Sequence, residues 1–312
     1  MLFPAESYVE HLSLKSMEEN LPVRSFFQLF SNYLELTKPK LSGLVVSTSL
    51  VGVVLASKDV NSMTPILSLL FIALVVGGAC VLNCYIEIDV DSKMERTKER
   101  VLPSGKLGPG RALTFGCILL CVGLSGLFFF VNWITGFLAL MATVLYLFSY
   151  TPLKQKSEYA VYVGAVPGAI PPIMGWTSVT GELGPFAYCL FGILFVWQLP
   201  HFWAISIYHA QDYNTANIKI YPSQKGLDTT TRNIFSFTIV LALVSLMPVI
   251  LGETLPSFSW VCLGLNAPFI YLSSLGIFKK KDDLSVKSWA KNYFYASIFY
   301  LPLLLGGMIF FK

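Results

Sequence analysis

The chain has 312 residues, of which 54% are hydrophobic and only 13% are charged, whereas about a quarter of the residues are charged in typical soluble proteins. This composition excludes a soluble globular protein and predicts an all-α, polytopic membrane protein. The net charge of +4 is explained by the lysines and arginines that flank membrane spans, so it does not indicate binding to nucleic acid.

Residues 1–35 are polar to amphipathic and contain five glutamates but no clean apolar core, so they resemble neither a cleavable signal peptide nor a transit peptide. We expect them to form a cytoplasmic segment whose apolar side chains lie at the membrane surface. Residues 36–312 are expected to form a single transmembrane domain. Lys38 and Lys40 flank a proline before the first span, where they could touch an anionic substrate or simply anchor the helix.

Nine stretches are apolar over about the 20 residues that a helix needs to cross a bilayer. They lie at approximately 41–57, 64–82, 112–131, 133–150, 160–176, 186–208, 233–251, 258–277 and 292–311. With these boundaries, 20 of the 22 lysines and arginines fall on one side, leaving Lys58 and Lys312 on the other. Because such residues stay in the cytoplasm, we predict a cytoplasmic amino terminus and a periplasmic carboxyl terminus in a bacterial inner membrane.

The polar stretch 83–105, between the second and third spans, contains five acids and four bases. If the second span continues as a helix, Asn83, Glu87 and Asp91 recur every four residues and lie on one face. Magnesium favours such oxygen ligands and is usually held by one or two carboxylates together with substrate phosphates. These three residues are therefore candidate metal ligands.

Basic residues follow these acids at once and are candidates for binding a diphosphate, because guanidinium groups hold phosphate oxygens in a bidentate fork. They are Arg96, Lys98 and Arg100. The fourth span ends on the same side at Lys154, which is either a further diphosphate ligand or an anchor. The alternative for the whole stretch is a solvated loop in which opposite charges merely pair.

The fifth span contains Pro167, Pro171 and Pro172 among small residues. Proline breaks are tolerated in a membrane only where protein or a cavity satisfies the backbone, so this span is expected to line a cavity or to pack tightly against a neighbour.

The sixth span carries a second polar cluster. His201, Tyr208 and Asp212 fall within about 20° of one helical face, with Gln198 close to that face and His209 roughly 80° away. Ionisable groups in a membrane are costly and indicate function by default. The last three spans carry no comparable cluster and are expected to serve as scaffold.

With both motifs assembled, residues 35–310 resemble the intramembrane prenyltransferase superfamily, and within it the branch that farnesylates heme. The superfamily's first signature, N-x3-D-x3-D, matches Asn83, Glu87 and Asp91, with a glutamate where aspartate is usual. The heme branch is similar in its W-Q-x-P-H-F-W segment, here 197–203, and in the following Asp212-Tyr213 pair.

The resemblance implies a bundle of nine helices around a central cavity and a reaction that joins farnesyl diphosphate to a vinyl group of heme B, with addition of water, to give heme O. Magnesium would be held by Asn83, Glu87, Asp91 and Asp212. The leaving diphosphate would be neutralised by Arg96, Arg100, Lys154 and Lys98. Heme would be contacted by His201, Tyr208, His209, Gln198 and Trp203. The place of this family in oxidase biogenesis implies heme A synthase or oxidase assembly proteins as partners.

Two other functions remain open. One is prenylation of a quinone precursor such as 4-hydroxybenzoate, which the His201-Phe202-Trp203 segment and the loss of acids from the second motif disfavour. The other is a transporter or a non-catalytic oxidase assembly factor. Both motifs are expected at one cytoplasmic mouth, whereas a transport site would lie near the middle of the membrane.

Overall fold

The computed structural model describes residues 26–56, 63–215, 218–278 and 283–312, and all regular elements in those ranges are helices. A π-helical turn, Leu145–Tyr150, joins the sixth helix to the seventh. In chain order the helices are α1 (Phe26–Leu36), α2 (Pro39–Ala56), α3 (Met63–Ile86), α4 (Ile88–Asp91), α5 (Pro109–Phe130), α6 (Trp133–Val144), α7 (Thr151–Leu153), α8 (Ala160–Ala169), α9 (Pro171–Thr180), α10 (Pro185–Tyr208), α11 (Ala210–Thr215), α12 (Tyr221–Lys225), α13 (Leu227–Ser245), α14 (Met247–Ile250), α15 (Phe258–Phe278) and α16 (Asp283–Phe310).

Within the described ranges, eight helical segments are long and apolar enough to cross a membrane, and they coincide with eight of the nine predicted spans. The predicted all-α, multi-pass architecture is therefore confirmed. The segments are Pro39–Ala56, Met63–Ile86, Pro109–Phe130, Trp133–Leu153, Pro185–Tyr208, Leu227–Ile250, Phe258–Phe278 and Leu284–Phe310.

The fifth predicted span is divided into two helices, α8 and α9, so a count of nine continuous spans is only approximate. The break falls at Ile170, directly before Pro171 and Pro172. Proline supplies no N–H to the helix and restricts the residue before it, which explains the interruption.

Of the predicted cytoplasmic segment, residues 1–25 lie outside the described residues, as does Lys58. The remainder forms α1, on which Phe26, Phe27 and Phe30 are exposed. Large apolar side chains are also exposed along the spans, among them Phe129 at 83% and Trp260 at 74%. An apolar surface of this kind fits contact with lipid.

The helices form a bundle in which α2 packs against α3 and α9, α3 against α5, and α16 returns to α2. In the carboxyl-terminal half, α10 packs against α8, α13 and α16. Its side chains Phe186 and Trp203 are buried in the larger hydrophobic core. The polar end of α10 is thereby held in a fixed position among its neighbours.

The backbones of α2 and α9 touch where two glycines face each other. A Cβ added to Gly175 would collide with the carbonyl oxygen of Ser49, and one added to Gly52 would collide with that of Pro172. Tight packing, one of the alternatives predicted for the fifth span, is what its second half shows. Small residues allow such close approach between membrane helices.

Gly175→Ala is therefore expected to destabilise the protein by about 1–3 kcal/mol, the usual cost of overpacking a close contact. Thermal unfolding of the purified protein in detergent would measure the loss. The matched control is Gly43→Ala in α2, because a Cβ there meets no atom within 4 Å. Equal unfolding temperatures for the two variants would contradict the proposed backbone contact.

Candidate active site

The side chains of Asn83, Glu87 and Asp91 lie together where α3 ends and α4 begins. The Glu87 N–H donates to the Asn83 carbonyl (3.1 Å) and the Asp91 N–H to the Glu87 carbonyl (2.8 Å), which preserves the four-residue repeat. Glu87 itself departs from helical geometry, with φ −101° and ψ 11°. The three side chains are only 2%, 3% and 5% exposed, respectively. The helix is interrupted at Glu87, but the three polar side chains still lie on one face.

A base approaches each of these three side chains. The Lys38 ammonium donates to Asn83 Oδ1 at 2.8 Å. Lys154 Nζ lies 2.5 Å from Glu87 Oε1, and an Arg100 guanidinium nitrogen lies 3.0 Å from Asp91 Oδ2. Buried carboxylates are costly without a counter-charge. The pairs therefore explain how two acids can be buried here, and they gather three cations around three oxygen donors.

Lys38 is the residue that sequence reasoning left out of the predicted site, although its position beside Pro39 raised the possibility of substrate contact. Among the described residues it is the one non-glycine with a positive φ, at 50°. Non-glycine residues rarely adopt this conformation, and where they do the surrounding structure must hold them there. The turn between α1 and α2 thus directs the Lys38 ammonium toward Asn83.

The two predicted motifs meet at this end of the bundle. An apolar cluster joins Met94 of the first polar stretch to Ile218 and Ile220 beyond the second, with Val90 and Tyr213 packed against it. Burial raises the pKa of the Tyr213 phenol, and the neighbouring cations Arg96 and Lys154 oppose that rise. The second motif therefore lies within electrostatic reach of the first.

Asp212 belongs to α11 and is separated from α10 by a break at His209, where φ is −104° and ψ is 23°. Its carboxylate lies 3.6 Å from His209 Nδ1. Burial lowers the pKa of His209, the Arg96 cation lowers it further, and Asp212 opposes the shift. His209 is thus predominantly neutral at pH 7, so its pairing with Asp212 strengthens only as the pH falls.

The predicted single face of the sixth span is only partly present. His201 Nδ1 lies 2.7 Å from Ser297 Oγ, and the Tyr208 ring centroid lies 5.8 Å from Lys291 Nζ, so both residues face α16. Asp212 follows the break at His209 described above. The expectation that the last three spans serve as scaffold stays a prediction, although α16 contributes both of these contacts.

Gln198 and Trp203 point elsewhere. Gln198 Nε2 donates to the Ala165 carbonyl of α8 at 3.3 Å. Trp203 is 1% exposed and packs against the rings of Tyr162 and Tyr221. For Trp203 the reason is the rotation of about 100° per residue along a helix, which turns it roughly 160° away from His201. Gln198 is turned by only about 60°, and its hydrogen bond to α8 holds it away from α16.

The predicted phosphate-binding bases also differ in their surroundings. Arg100 and Lys154 reach the buried acids, and Arg96 is exposed beside the second motif. Lys98 instead pairs with Glu95 at 2.7 Å, and that partner raises the pKa of its ammonium. Lys98 is therefore the weakest of the four candidates.

In the part of the chain that the structure describes, no group of three or more His, Cys, Asp or Glu side chains is arranged to hold a metal ion. The oxygen donors of Asn83, Glu87 and Asp91 nevertheless fit magnesium chemically: one amide and two carboxylates lie beside cations suited to phosphate. Such a set matches an ion whose remaining ligands come from a phosphorylated substrate.

Residues 45–298 match the model of the UbiA prenyltransferase family. A protoheme IX farnesyltransferase from Anaeromyxobacter sp. is 41% identical over 284 residues, which cover 91% of this chain and 94% of the relative. A protoheme IX farnesyltransferase from Myxococcus xanthus is 35% identical over 95% of this chain and 97% of its own length.

Solved structures share the fold. A digeranylgeranylglyceryl phosphate synthase has a TM-score of 0.76 at 17% identity, covering 90% of this chain and 97% of that one. A UbiA homolog from Archaeoglobus fulgidus bound to GPP and Mg²⁺ has a TM-score of 0.61 at 14% identity, covering 89% and 99%. From the family match and these relatives, the chain belongs to the UbiA prenyltransferase family.

Proposed function

We propose that this protein transfers the farnesyl group of farnesyl diphosphate to a vinyl group of heme B, with addition of water, to give heme O and diphosphate. The observation that carries the proposal is the buried cluster of Asn83, Glu87 and Asp91 with its three basic partners. The relatives named protoheme IX farnesyltransferase, which match over most of the chain, support heme as the acceptor.

The acids and bases have complementary roles in this reaction. Asn83, Glu87 and Asp91, joined by Asp212, would hold Mg²⁺, which when bound supplies positive charge to a leaving diphosphate. If Mg²⁺ neutralised the charge of these acids, their basic partners would become available to bind phosphate oxygens. The bases concerned are Lys38, Lys154, Arg100 and Arg96.

The reacting carbon would lie on the bundle side of this cluster. Tyr150 ends the π-helical turn before Lys154, and its ring centroid lies 5.9 Å from Lys154 Nζ. An aromatic face attracts cations, and it is worth most where water is excluded. Tyr150 is therefore positioned to stabilise an allylic cation after the diphosphate bond breaks.

On the acceptor side we propose that His201, Tyr208 and His209 contact heme. Gln198 and Trp203 instead hold α10 against its neighbours, because both are buried in helix packing. Since the relatives are bacterial proteins, we propose that this protein lies in a bacterial inner membrane. The clustering of basic residues on one side of the predicted spans favours a cytoplasmic amino terminus. Heme A synthase and oxidase assembly proteins are the partners we propose there, and copurification from native membranes tests them.

The decisive experiment incubates the purified protein with heme B, farnesyl diphosphate, Mg²⁺ and 4-hydroxybenzoate as a competing acceptor, and identifies products by mass. We expect heme O, and its loss when the metal is chelated. Formation of prenylated 4-hydroxybenzoate without heme O would show that the acceptor is a quinone precursor instead of heme. Folded protein that turns over neither acceptor would contradict an enzymatic role.

Lys38→Ala is expected to raise the KM for farnesyl diphosphate by about tenfold or more, because a hydrogen bond from a charged group contributes roughly 1.5–3 kcal/mol. Steady-state kinetics with farnesyl diphosphate as the varied substrate would measure the change. The control is Lys40→Ala, which removes an exposed lysine two residues away. If the two variants raised the KM equally, Lys38 would contribute only general positive charge and no specific contact with the substrate.

A further inference from the structure

Ser297 of α16 is the hydrogen-bond partner of the His201 Nδ1 atom, at 2.7 Å. The Ser297 hydroxyl donates to the Phe294 carbonyl at 2.6 Å, so its single proton is already committed. With the hydroxyl in that orientation, its oxygen accepts the 2.7 Å hydrogen bond from His201, which would place the imidazole proton on Nδ1. His201 Nε2 is left with its lone pair. Metal-binding histidines are held in this way, with the second ring nitrogen donating to an oxygen.

The surroundings of His201 are aromatic and partly exposed. The imidazole stacks on the Trp197 ring, with centroids 4.5 Å apart and planes inclined by 25°. The Trp197 indole N–H donates to the Ser297 carbonyl at 2.9 Å, so Ser297 holds both rings. The neighbouring Phe202 ring, 5.5 Å from His201, is 38% exposed. These rings surround the imidazole with apolar surface, against which the edges of a large apolar ligand could pack.

Toward the end of the same two helices the surface becomes cationic. Lys287 and Lys291 are exposed and lie one helical turn apart on α16. Lys291 Nζ lies 5.8 Å from the Tyr208 ring centroid, and Lys287 lies close enough to His209 to act on it electrostatically. Ser297 is six residues beyond Lys291, about 9 Å along the helix axis. The cations therefore lie to one side of His201, nearer the membrane surface.

We propose that the seam between α10 and α16 binds heme, with His201 Nε2 approaching the iron and with Lys287 and Lys291 pairing with the propionates. The inference rests on the proposed function. Heme B is an apolar plate with iron at its centre and two carboxylates at one edge. The seam presents aromatic surface, an imidazole lone pair and two cations in the matching order.

The propionate contacts can be tested by binding alone. Full-length protein in nanodiscs is titrated with ferric heme B without farnesyl diphosphate, and the Soret band is followed. Lys287→Glu/Lys291→Glu is expected to weaken binding by about tenfold or more, because like charges facing each other are strongly unfavourable. Lys156→Glu, at an exposed lysine in the turn between α7 and α8, is the control and should bind heme as the wild type does.

Heme dimethyl ester, whose propionates are uncharged, should bind equally to the double variant and the wild type. Unchanged heme B affinity in the double variant, or an equal loss for the ester, would overturn the propionate contacts. Heme O formation that persists in that case leaves the proposed function standing. Intact heme binding without any farnesyl transfer would count against the proposed function alone.

The role of Ser297 needs a spectroscopic readout. Ser297→Ala is expected to change the Soret spectrum in the same direction as His201→Ala, and Ser297→Thr, which keeps the hydroxyl, should restore the wild-type spectrum. Iron-free protoporphyrin IX should bind all four proteins with similar affinity. A wild-type spectrum for Ser297→Ala, or a loss of porphyrin binding equal to that of heme, would show that Ser297 does not orient His201 toward the heme iron.

Discussion

Asp91→Asn is expected to lower the rate of heme O formation by at least about 100-fold, the scale of loss when one preorganised charge-stabilising group is removed from an active site. The substitution keeps the shape of the side chain but removes the charge that would attract a metal ion. Mass analysis of heme products over time measures the effect. Asp89→Asn is the matched control, because Asp89 lies two residues away on the exposed side of α4.

The fold should tolerate the Asp91 substitution. The Thr97 hydroxyl donates to the Asp91 backbone carbonyl at 2.7 Å, a contact that does not involve the side chain. Arg100, the partner that would lose its counter-charge, is 36% exposed and can turn toward water. Comparable rates for Asp91→Asn and Asp89→Asn would remove Asp91 from the reaction. Loss of activity together with loss of folded protein would show that the residue acts through structure.

The first motif could be predicted from the sequence because it depends on local geometry. Asn83, Glu87 and Asp91 are linked by successive hydrogen bonds between residues four apart, so their spacing alone places them on one face. The spans could be predicted for a similar reason, since their length and apolarity are local properties. Only the fifth predicted span differs, because Pro171 and Pro172 divide it into two helices.

Features that depend on distant contacts could not be predicted in this way. Lys38 reaches the site through a turn of unusual backbone conformation, and Asn83, its partner, lies 45 residues further along the chain. Ser297 meets His201 across a separation of 96 residues. Helical arithmetic describes where a side chain leaves its helix, but it does not say which helix lies opposite. For that reason the spacing of the second motif predicts its shared face only partly, and it does not predict the contacts that α16 makes with it.

The Glu87–Lys154 pair provides a test that separates structure from catalysis. Lys154→Met would leave a carboxylate that is 3% exposed without its partner, and we expect a loss of about 2–5 kcal/mol in stability. Glu87→Gln should cost less, because Lys154 is 27% exposed and can reach water. The double variant Glu87→Gln/Lys154→Met should recover most of the stability, since no buried charge remains. Thermal unfolding in detergent would measure all three proteins.

Activity should follow a different order from stability in this series. The double variant lacks both a candidate metal ligand and a phosphate-binding base, so it should stay at least about 100-fold below the wild type even when its stability has recovered. For comparison, the exposed Glu95–Lys98 pair should change stability by less than about 1 kcal/mol when both charges are removed. A stable double variant with normal heme O formation would show that Glu87 and Lys154 form only a structural ion pair. A double variant destabilised by the sum of the two single losses would instead show that the two side chains are not energetically coupled.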